Sequence, residues 1–512
     1  MSASAQAGRL TPATALPPGM SEASFGAFIA ALADALGPAA VATDPATLRE
    51  FRDPFAYRGD DRRDYSAVVS PVTTGQVQAV VAIARTFGVP LWTISQGRNN
   101  TYGGPAPRVR GSVLVNLRNM NRILEINREL AYVVVEPGVR WSDLASALAA
   151  DGGQLWTSVP DFGWGSVIGN SLDNGIGYAP RGDHAANLAG LEVVLPDGSV
   201  LRTGFGAHLG NPAWHAAPRG FGPSVDGLFL QSNFGIVTQA GYLVSRTPEA
   251  YAACQFDFRG YDALATVIDV LREEMLTGVV TNYPTLFRMV ERTEGELVMT
   301  PGSDGWAGRC AFYGTLARVQ TDIATARDRL GTGAGIDLDA TIFAGDDLAG
   351  PASHDERVQR GIPAVQLGDP DKLPFGPNFA HLDHAVVVPQ LGSAVAAAER
   401  LITAHYAARE FPLTGGILLR GRSALVISST FFDVSDEAMT ASAYASYEDL
   451  VEAFAAQGIL PYRTNLDNMD AVASHLSFGE DALPRFLRTL KDAVDPAGII
   501  APGKSGIWPS PA

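Results

Sequence analysis

The sequence predicts an α+β fold in two domains, and three observations carry that reading. A β-α-β pattern over residues 68–94 is followed by further strands rather than by a helical bundle. Near Thr247 the texture changes, and long amphipathic stretches begin to alternate with apolar strands. The length, 512 residues, is more than one ordinary hydrophobic core accommodates.

Each element follows from local pattern. The Ala-, Ser- and Pro-rich stretch 1–20 predicts a loosely attached segment. Ser21 is an N-cap for a helix whose apolar face is Phe25, Phe28, Ile29, Leu32 and Leu36. A strand at Val68–Val72 leads into a helix opened by Thr74, with Val77, Val80, Val81, Ile83 and Ala84 on one face. Val89–Ile94 is a short apolar strand, and Gln96–Gly104 is a glycine- and asparagine-rich turn. Strands at Ser112–Asn116 and Tyr132–Glu136 and a helix at Trp141–Ala150 come next, then a glycine-rich run over 159–182. Leu191–Arg202 is a hairpin around Pro196-Asp197-Gly198, and Phe234–Leu243 is a strand that closes the first domain. The second domain holds amphipathic helices at Tyr261–Leu276, Val319–Leu330 and Ala394–Ala408, with strands such as Ala385–Val388 and Ala424–Ser428. The expected divisions are 1–20, 21–246, 247–459 and a distinct C-terminal stretch, 460–512, with a helix at Leu483–Val494.

A formal charge of −16 argues against a nucleic-acid or anionic-membrane partner, because both demand a basic surface. The two cysteines, Cys254 and Cys310, lack metal-ligand spacing and are expected to be buried thiols. The first twenty residues show no basic start followed by an apolar stretch, and no apolar run is long enough to span a bilayer, so the cytoplasm is the expected location.

Four segments contain side chains suited to chemistry. Ser95-Gln96-Gly97-Arg98-Asn99-Asn100-Thr101-Tyr102-Gly103-Gly104 follows a strand, and its free backbone N–H groups can form a concave anion site suited to a pyrophosphate. On its own it is an ordinary turn, and no GxGxxG or Walker pattern accompanies it. The run Val159-Pro160-Asp161 to Asn170, through Gly165, Ser166 and Gly169, continues into Gly175-Ile176-Gly177-Tyr178. So many glycines imply close backbone approach, either to a flat ligand or within a packed loop. Asp161 is either a turn residue or a carboxylate that orients or deprotonates a substrate. In Tyr462-Arg463 a phenol O–H donor adjoins a fixed cation, a pair able to bind an oxyanion; the plain alternative is a core tyrosine beside a surface arginine. In His381-Leu382-Asp383-His384 the following apolar residues indicate a strand, which puts the two histidines on opposite faces, so no metal site is expected.

Taken in order, these segments, together with Gly222–Thr238 and the ending Val494-Asp495-Pro496 through Ile500-Ala501-Pro502-Gly503-Lys504-Ser505-Gly506, resemble the vanillyl-alcohol oxidase flavoproteins, in their 4-phenol oxidase branch. The resemblance spans roughly Pro17 to Trp508. It implies an FAD-binding domain over 21–246, a cap domain over 247–459, and a C-terminal segment that returns to the FAD domain and completes the active site. It implies that FAD is held by Ser95 to Asn100, Pro160, Gly165, Ser166, Gly169, Asn170, Gly175, Gly177, Tyr178, Gly235, Ile236, Val237 and Lys504. A phenolate would be bound by Tyr102, Tyr462 and Arg463, with Asp161 the acid near flavin N5. The implied reaction is hydride loss from the benzylic carbon of a para-substituted phenol, giving a p-quinone methide.

Many relatives bind the flavin covalently through a histidine. The preceding Pro377-Asn378-Phe379-Ala380 favours His381, the strand pattern favours His384, and a non-covalent flavin is the third reading. The sequence departs from the family at Arg422-Ser423-Ala424, at Phe55 and Tyr57, and at Asn465, positions where histidines are common. Pro160 matches the oxidases, so O2 is the expected acceptor, with a dehydrogenase as the alternative. A homodimer or larger homo-oligomer is expected.

Overall fold

The computed structural model describes residues 15–288, 291–293, 296–298, 304–349, 353–364 and 375–511. Most of the stretch before Ser21 therefore lies outside the described residues. The part that is described is packed rather than loose: Ala15 and Pro17 are buried, and a side chain at Gly111 would meet the Leu16 carbonyl.

The β-α-β unit forms as its pattern demands. Ala67–Val69, Val113–Asn116 and Leu91–Ile94 are parallel neighbours in a four-stranded sheet whose edge is Val41–Ala42. Helix Thr74–Phe87 is capped by Thr73, and helix Glu22–Leu36 by Ser21. Both helices cover the sheet with the apolar faces read from the sequence, joining Phe25, Phe28, Leu32, Val77, Val80 and Val81 to Val69, Leu91 and Val113.

A five-stranded antiparallel sheet follows, in the order Ile123–Asn127, Tyr132–Val135, Ile236–Leu243, Leu188–Val194, Val200–Arg202. Its first strand is absent from the sequence expectation, because Leu124 and Glu125 are both exposed and leave no clean alternation. Helix Trp141–Ala150 buries Trp141, Leu144 and Leu148 against this sheet.

The residues after Thr247 build an antiparallel eight-stranded sheet: Asp339–Ala344, Ala250–Arg259, Gly305–Gly314, Thr285–Arg288, Leu413–Leu419, Ser423–Asp433, Phe379–Pro389 and Pro461–Arg463, in spatial order. Its core joins the sheet to helices Tyr261–Leu276, Leu316–Ala334, Gly392–Ala407 and Glu437–Ala455. Cys254 and Cys310 are register partners in the middle of it, both buried and free.

The C-terminal stretch ties the two halves together. It starts as the edge strand Pro461–Arg463 of the large sheet, then returns to the first. Leu91 N–H donates to the Ile499 carbonyl at 2.7 Å, and Ala501 N–H donates to the Leu91 carbonyl at 2.8 Å. Lys491, fully buried, fixes this return: its ammonium donates to Asp495 Oδ2 at 2.7 Å, the Asn233 carbonyl at 2.8 Å and the Ile500 carbonyl at 2.7 Å. Among the described residues no helix is long and apolar enough to cross a membrane.

Candidate active site

A cleft of about 740 Å³ opens between the first sheets, the inward face of the eight-stranded sheet and the C-terminal stretch. One end is bordered by Ser95, Gln96, Gly97, Arg98 and Asn99 on one side and Gly165, Ser166, Gly169 and Asn170 on the other, with Gly235, Ile236 and Val237 nearby. Two glycines make this end narrow. Gly97 has φ +61°, and a Cβ on Gly169 would lie 2.1 Å from Ser95 Oγ. Ser166 caps the short helix Val167–Leu172, unforeseen in the glycine-rich run, by accepting from Gly169 N–H at 2.9 Å.

The other end is lined by Tyr102, Pro160, Asp161, Tyr178, Tyr462, Arg463 and Lys504. The chain brings these together from four distant segments. Arg463 donates through Nε to the Asp173 carbonyl at 2.5 Å, which fixes the plane of its guanidinium. Its Nη2 is buried and has no hydrogen-bond partner among the described residues. The guanidinium lies 5.7 Å from the Tyr102 ring centre and 5.3 Å from that of Tyr462. Burial, Tyr462 and Asp383 push the Tyr102 phenol well above its ordinary value, so it stays a donor. Burial opposes the charge on Arg463, but the neighbouring Tyr462, Asp173 and Tyr102 more than offset it. The set is a cation and two phenol groups around one unfilled donor, which suits an oxyanion.

Asp161 sits in a second cluster. It accepts from Tyr178 OH at 2.6 Å, lies 3.3 Å from His354 Nε2 and 3.5 Å from Arg309 Nη2. Burial would raise its pKa, yet the His354 hydrogen bond, the Arg309 charge and the Tyr178 hydrogen bond outweigh it and hold the carboxyl below the usual range. Arg309 itself lies 4.4 Å over the Tyr178 ring and also pairs with Asp355. Asp161 is therefore an ionised carboxylate at the cleft wall.

Some expected residues stand elsewhere. Asn100 does not border the cleft; its carbonyl closes the turn by accepting from Gly103 N–H. Gly175 and Gly177 lie behind the wall, where a Cβ would collide with Asn170 Oδ1 and with Ser158 Oγ, so their lack of a side chain serves packing. His384 faces away from the cleft into the core: Tyr406 OH is 2.9 Å from Nδ1, the Tyr447 carbonyl is 3.0 Å from Nε2, and burial drops its pKa to about 3. With both nitrogens engaged and Tyr447 stacked on it at 3.8 Å, it has no path to a ligand in the cleft. His381, of opposite parity on the same strand, is on the other face but does not itself border the cleft; it lies beside Phe55 at 4.8 Å, with Nδ1 2.8 Å from Asp383 Oδ1.

Sequence reasoning missed Asp173, Arg309, His354 and Asp383 as members of the site. Asp173 follows a helix whose existence was unforeseen, and it pairs with Lys504 at 3.0 Å. Arg309 sits mid-strand with no motif around it, and it meets Asp161 across 148 residues of sequence. No cluster of metal-ligating residues occurs among the described residues.

Comparison with known proteins accounts for this layout. Residues 65–204 match the family described as FAD binding domain. The chain is 30% identical to 1'-carboxy-chondrochloren decarboxylase of Chondromyces crocatus, over 94% of this chain and 98% of that one. It is 29% identical to the flavoprotein subunit of 4-cresol dehydrogenase (hydroxylating) of Pseudomonas putida, over 86% and 88%. The solved 4-ethylphenol oxidase of Gulosibacter chungangensis, in complex with isoeugenol, superposes with a TM-score of 0.88 at 30% identity, over 97% of this chain and 99% of that one. This chain belongs to the vanillyl-alcohol oxidase family, in its 4-phenol oxidase branch. The substrate-bound p-cresol methylhydroxylase structure gives a TM-score of 0.87 at 26% identity, over 96% and 99%. Like its family, the chain is a flavin-dependent oxidoreductase with a two-domain fold and FAD as cofactor. The cleft suits that cofactor, because the glycines of one end leave backbone room for a pyrophosphate and the other end carries the unfilled Arg463 donor.

Proposed function

We propose that this protein oxidises para-substituted phenols, taking a hydride from the benzylic carbon and passing the electrons to O2, which becomes hydrogen peroxide. The observation that carries the reading is the unpartnered, buried Nη2 of Arg463 between Tyr102 and Tyr462. FAD, when bound, supplies the hydride acceptor. Ser95 to Asn99, Ser166 to Asn170, Gly235 to Val237 and Lys504 would hold it.

The protein's own groups do the rest. Arg463, with O–H donors from Tyr102 and Tyr462, stabilises the substrate as a phenolate. A buried cation acts strongly there, because little water screens it. The negative charge on the ring oxygen pushes electron density toward the para substituent, weakens the benzylic C–H bond and leads to a p-quinone methide. Asp161, ionised and held by Tyr178, Arg309 and His354, can accept the proton of water adding to that carbon. Pro160 at the cleft wall and the family's oxidase members favour O2 over another acceptor. His381 is the residue through which a covalent flavin would be attached, and Asp383 orients its ring.

The test is the visible spectrum of the yellow protein mixed anaerobically with 4-ethylphenol, eugenol or vanillyl alcohol and then exposed to air. Bleaching followed by fast recovery with peroxide is expected. Bleaching with slow recovery makes the protein a dehydrogenase, and no bleaching by any of these phenols removes the substrate assignment.

A further inference from the structure

Besides orienting His381, Asp383 presents its carboxylate to the cleft itself. Asp383 lies on strand Phe379–Pro389, whose even-numbered Ala380, Leu382 and Val386 fill the core behind the sheet. Residues 383 and 385 point the other way, and Asp383 lines the cleft. Ala385 is the register partner of Arg463, and Asp383 of Ser429. Asp383 is thus one pleat, about 7 Å along the strand, from the row that holds Arg463. Its N–H donates to Thr101 Oγ1 at 2.9 Å, which fastens it to the residue before Tyr102. It therefore borders the place where Tyr102, Tyr462 and Arg463 converge.

The sheet beyond Ser429 and Thr101 is apolar there, with Ala385, Leu418, Leu425 and Ile427. A carboxylate in such a wall is costly unless it is paired and hydrogen-bonded. His381 Nδ1, 2.8 Å away, supplies the pairing, so the two together need not repel a bound phenolate. Ser429 and Thr101 also hydrogen-bond to the carboxylate, and of its about four acceptor positions these three partners leave about one. A ligand beside it is recognised by a hydrogen that it can donate.

Resting on the phenol reading above, we propose that Asp383 is a specificity determinant: it accepts a hydrogen bond from a hydroxyl on the ring carbon next to the phenol carbon, and so selects 4-substituted catechols. A plain phenol leaves that position unfilled. A methoxy group there brings bulk and no hydrogen, and leaves the carboxylate cut off from water as well.

The test uses the FAD-loaded protein in anaerobic stopped-flow with 4-ethylcatechol, 4-ethylphenol and 4-ethylguaiacol, reading flavin-reduction rate over Kd. A hydrogen bond to a charged acceptor predicts a preference for the catechol over the phenol of about 10- to 100-fold. The guaiacol should be poorest. In Asp383→Ala the catechol preference should collapse to about twofold while the guaiacol gains, a crossing that general damage to the site would not produce. Asp383→Asn keeps one accepting oxygen and the shape of the site, and should retain part of the preference; it stands in if the alanine variant does not fold. A wild-type ratio below about twofold, or a ratio unchanged in both variants, overturns the proposal. Reduction by 4-ethylphenol without a catechol preference removes this inference alone. No reduction by any of the three removes the phenol reading with it.

Discussion

Replacing Arg463 by Ala separates substrate activation from cofactor binding. The guanidinium is buried, anchored on the Asp173 carbonyl, and has one nitrogen free to face the substrate oxygen. Losing one such donor from a preorganised oxyanion site costs roughly 2.7–4 kcal/mol. At about 1.4 kcal/mol per tenfold, flavin reduction by a 4-alkylphenol should slow by about 100- to 1000-fold near pH 7. The glycine-walled end of the cleft, bordered by Ser95 to Asn99 and Gly165 to Asn170 and not by Arg463, should keep its FAD. Without the arginine the site must draw its phenolate from solution, where the phenol pKa is about 10. The rate in Arg463→Ala should therefore climb roughly tenfold per pH unit up to about pH 10, closing much of the gap. Anaerobic stopped-flow across that range, with FAD content measured in parallel, reads both effects. A reduction rate within about threefold of wild type at pH 7, or a defect that does not shrink with pH, refutes the oxyanion role.

Three further outcomes follow from the same geometry. Lys491→Ala leaves Asp495 as an unpaired buried carboxylate and should cost about 3–5 kcal/mol, whereas Lys491→Met together with Asp495→Leu should recover part of it; denaturant melts of the three proteins test this, and equal midpoints for both variants would count against it. His354 gains a raised pKa from the Asp161 hydrogen bond, so its stabilising contribution is full below about pH 6.5 and fades as pH rises through the higher folded value. The difference in thermal midpoint between wild type and His354→Gln should accordingly narrow from about pH 6 to about pH 8.5, and a constant difference would mean that the pairing contributes nothing. If His381 attaches the flavin, acid-precipitated protein should stay yellow and His381→Ala should release its colour to the supernatant, while His384→Ala should lose stability without that change.

How much of this was readable in the sequence depended on whether a signal was local. The helices starting at Glu22, Thr74, Trp141 and Tyr261 were legible because one apolar face settles each within a few turns, with Ser21 and Thr73 capping the first two. The strand Ile123–Asn127 was not, since its exposed Leu124 and Glu125 break the alternation. Tyr462-Arg463 could be read locally as an oxyanion-binding pair, but only the resemblance joined Tyr102 to it, because that union rests on tertiary pairing: Arg463 beside Ala385, and Asp383 bonded to Thr101. Arg309, His354 and Asp383 escaped notice for the same reason. Each is set by tertiary pairing, and none stands in a motif of its own. His381 and His384 show the reverse case, in which the alternation of a strand was enough to send them to opposite faces.

The return of residues 499–501 alongside Leu91 has a consequence for biogenesis. The floor of the cofactor cleft is synthesised after the whole eight-stranded sheet, although the walls it joins are made before that sheet. Domains usually fold as they emerge, N-terminal part first. Here the early strands must wait, partly uncovered, until the intervening half has folded. A chain lacking residues 499–501 would have an open cleft and an exposed sheet edge at Leu91.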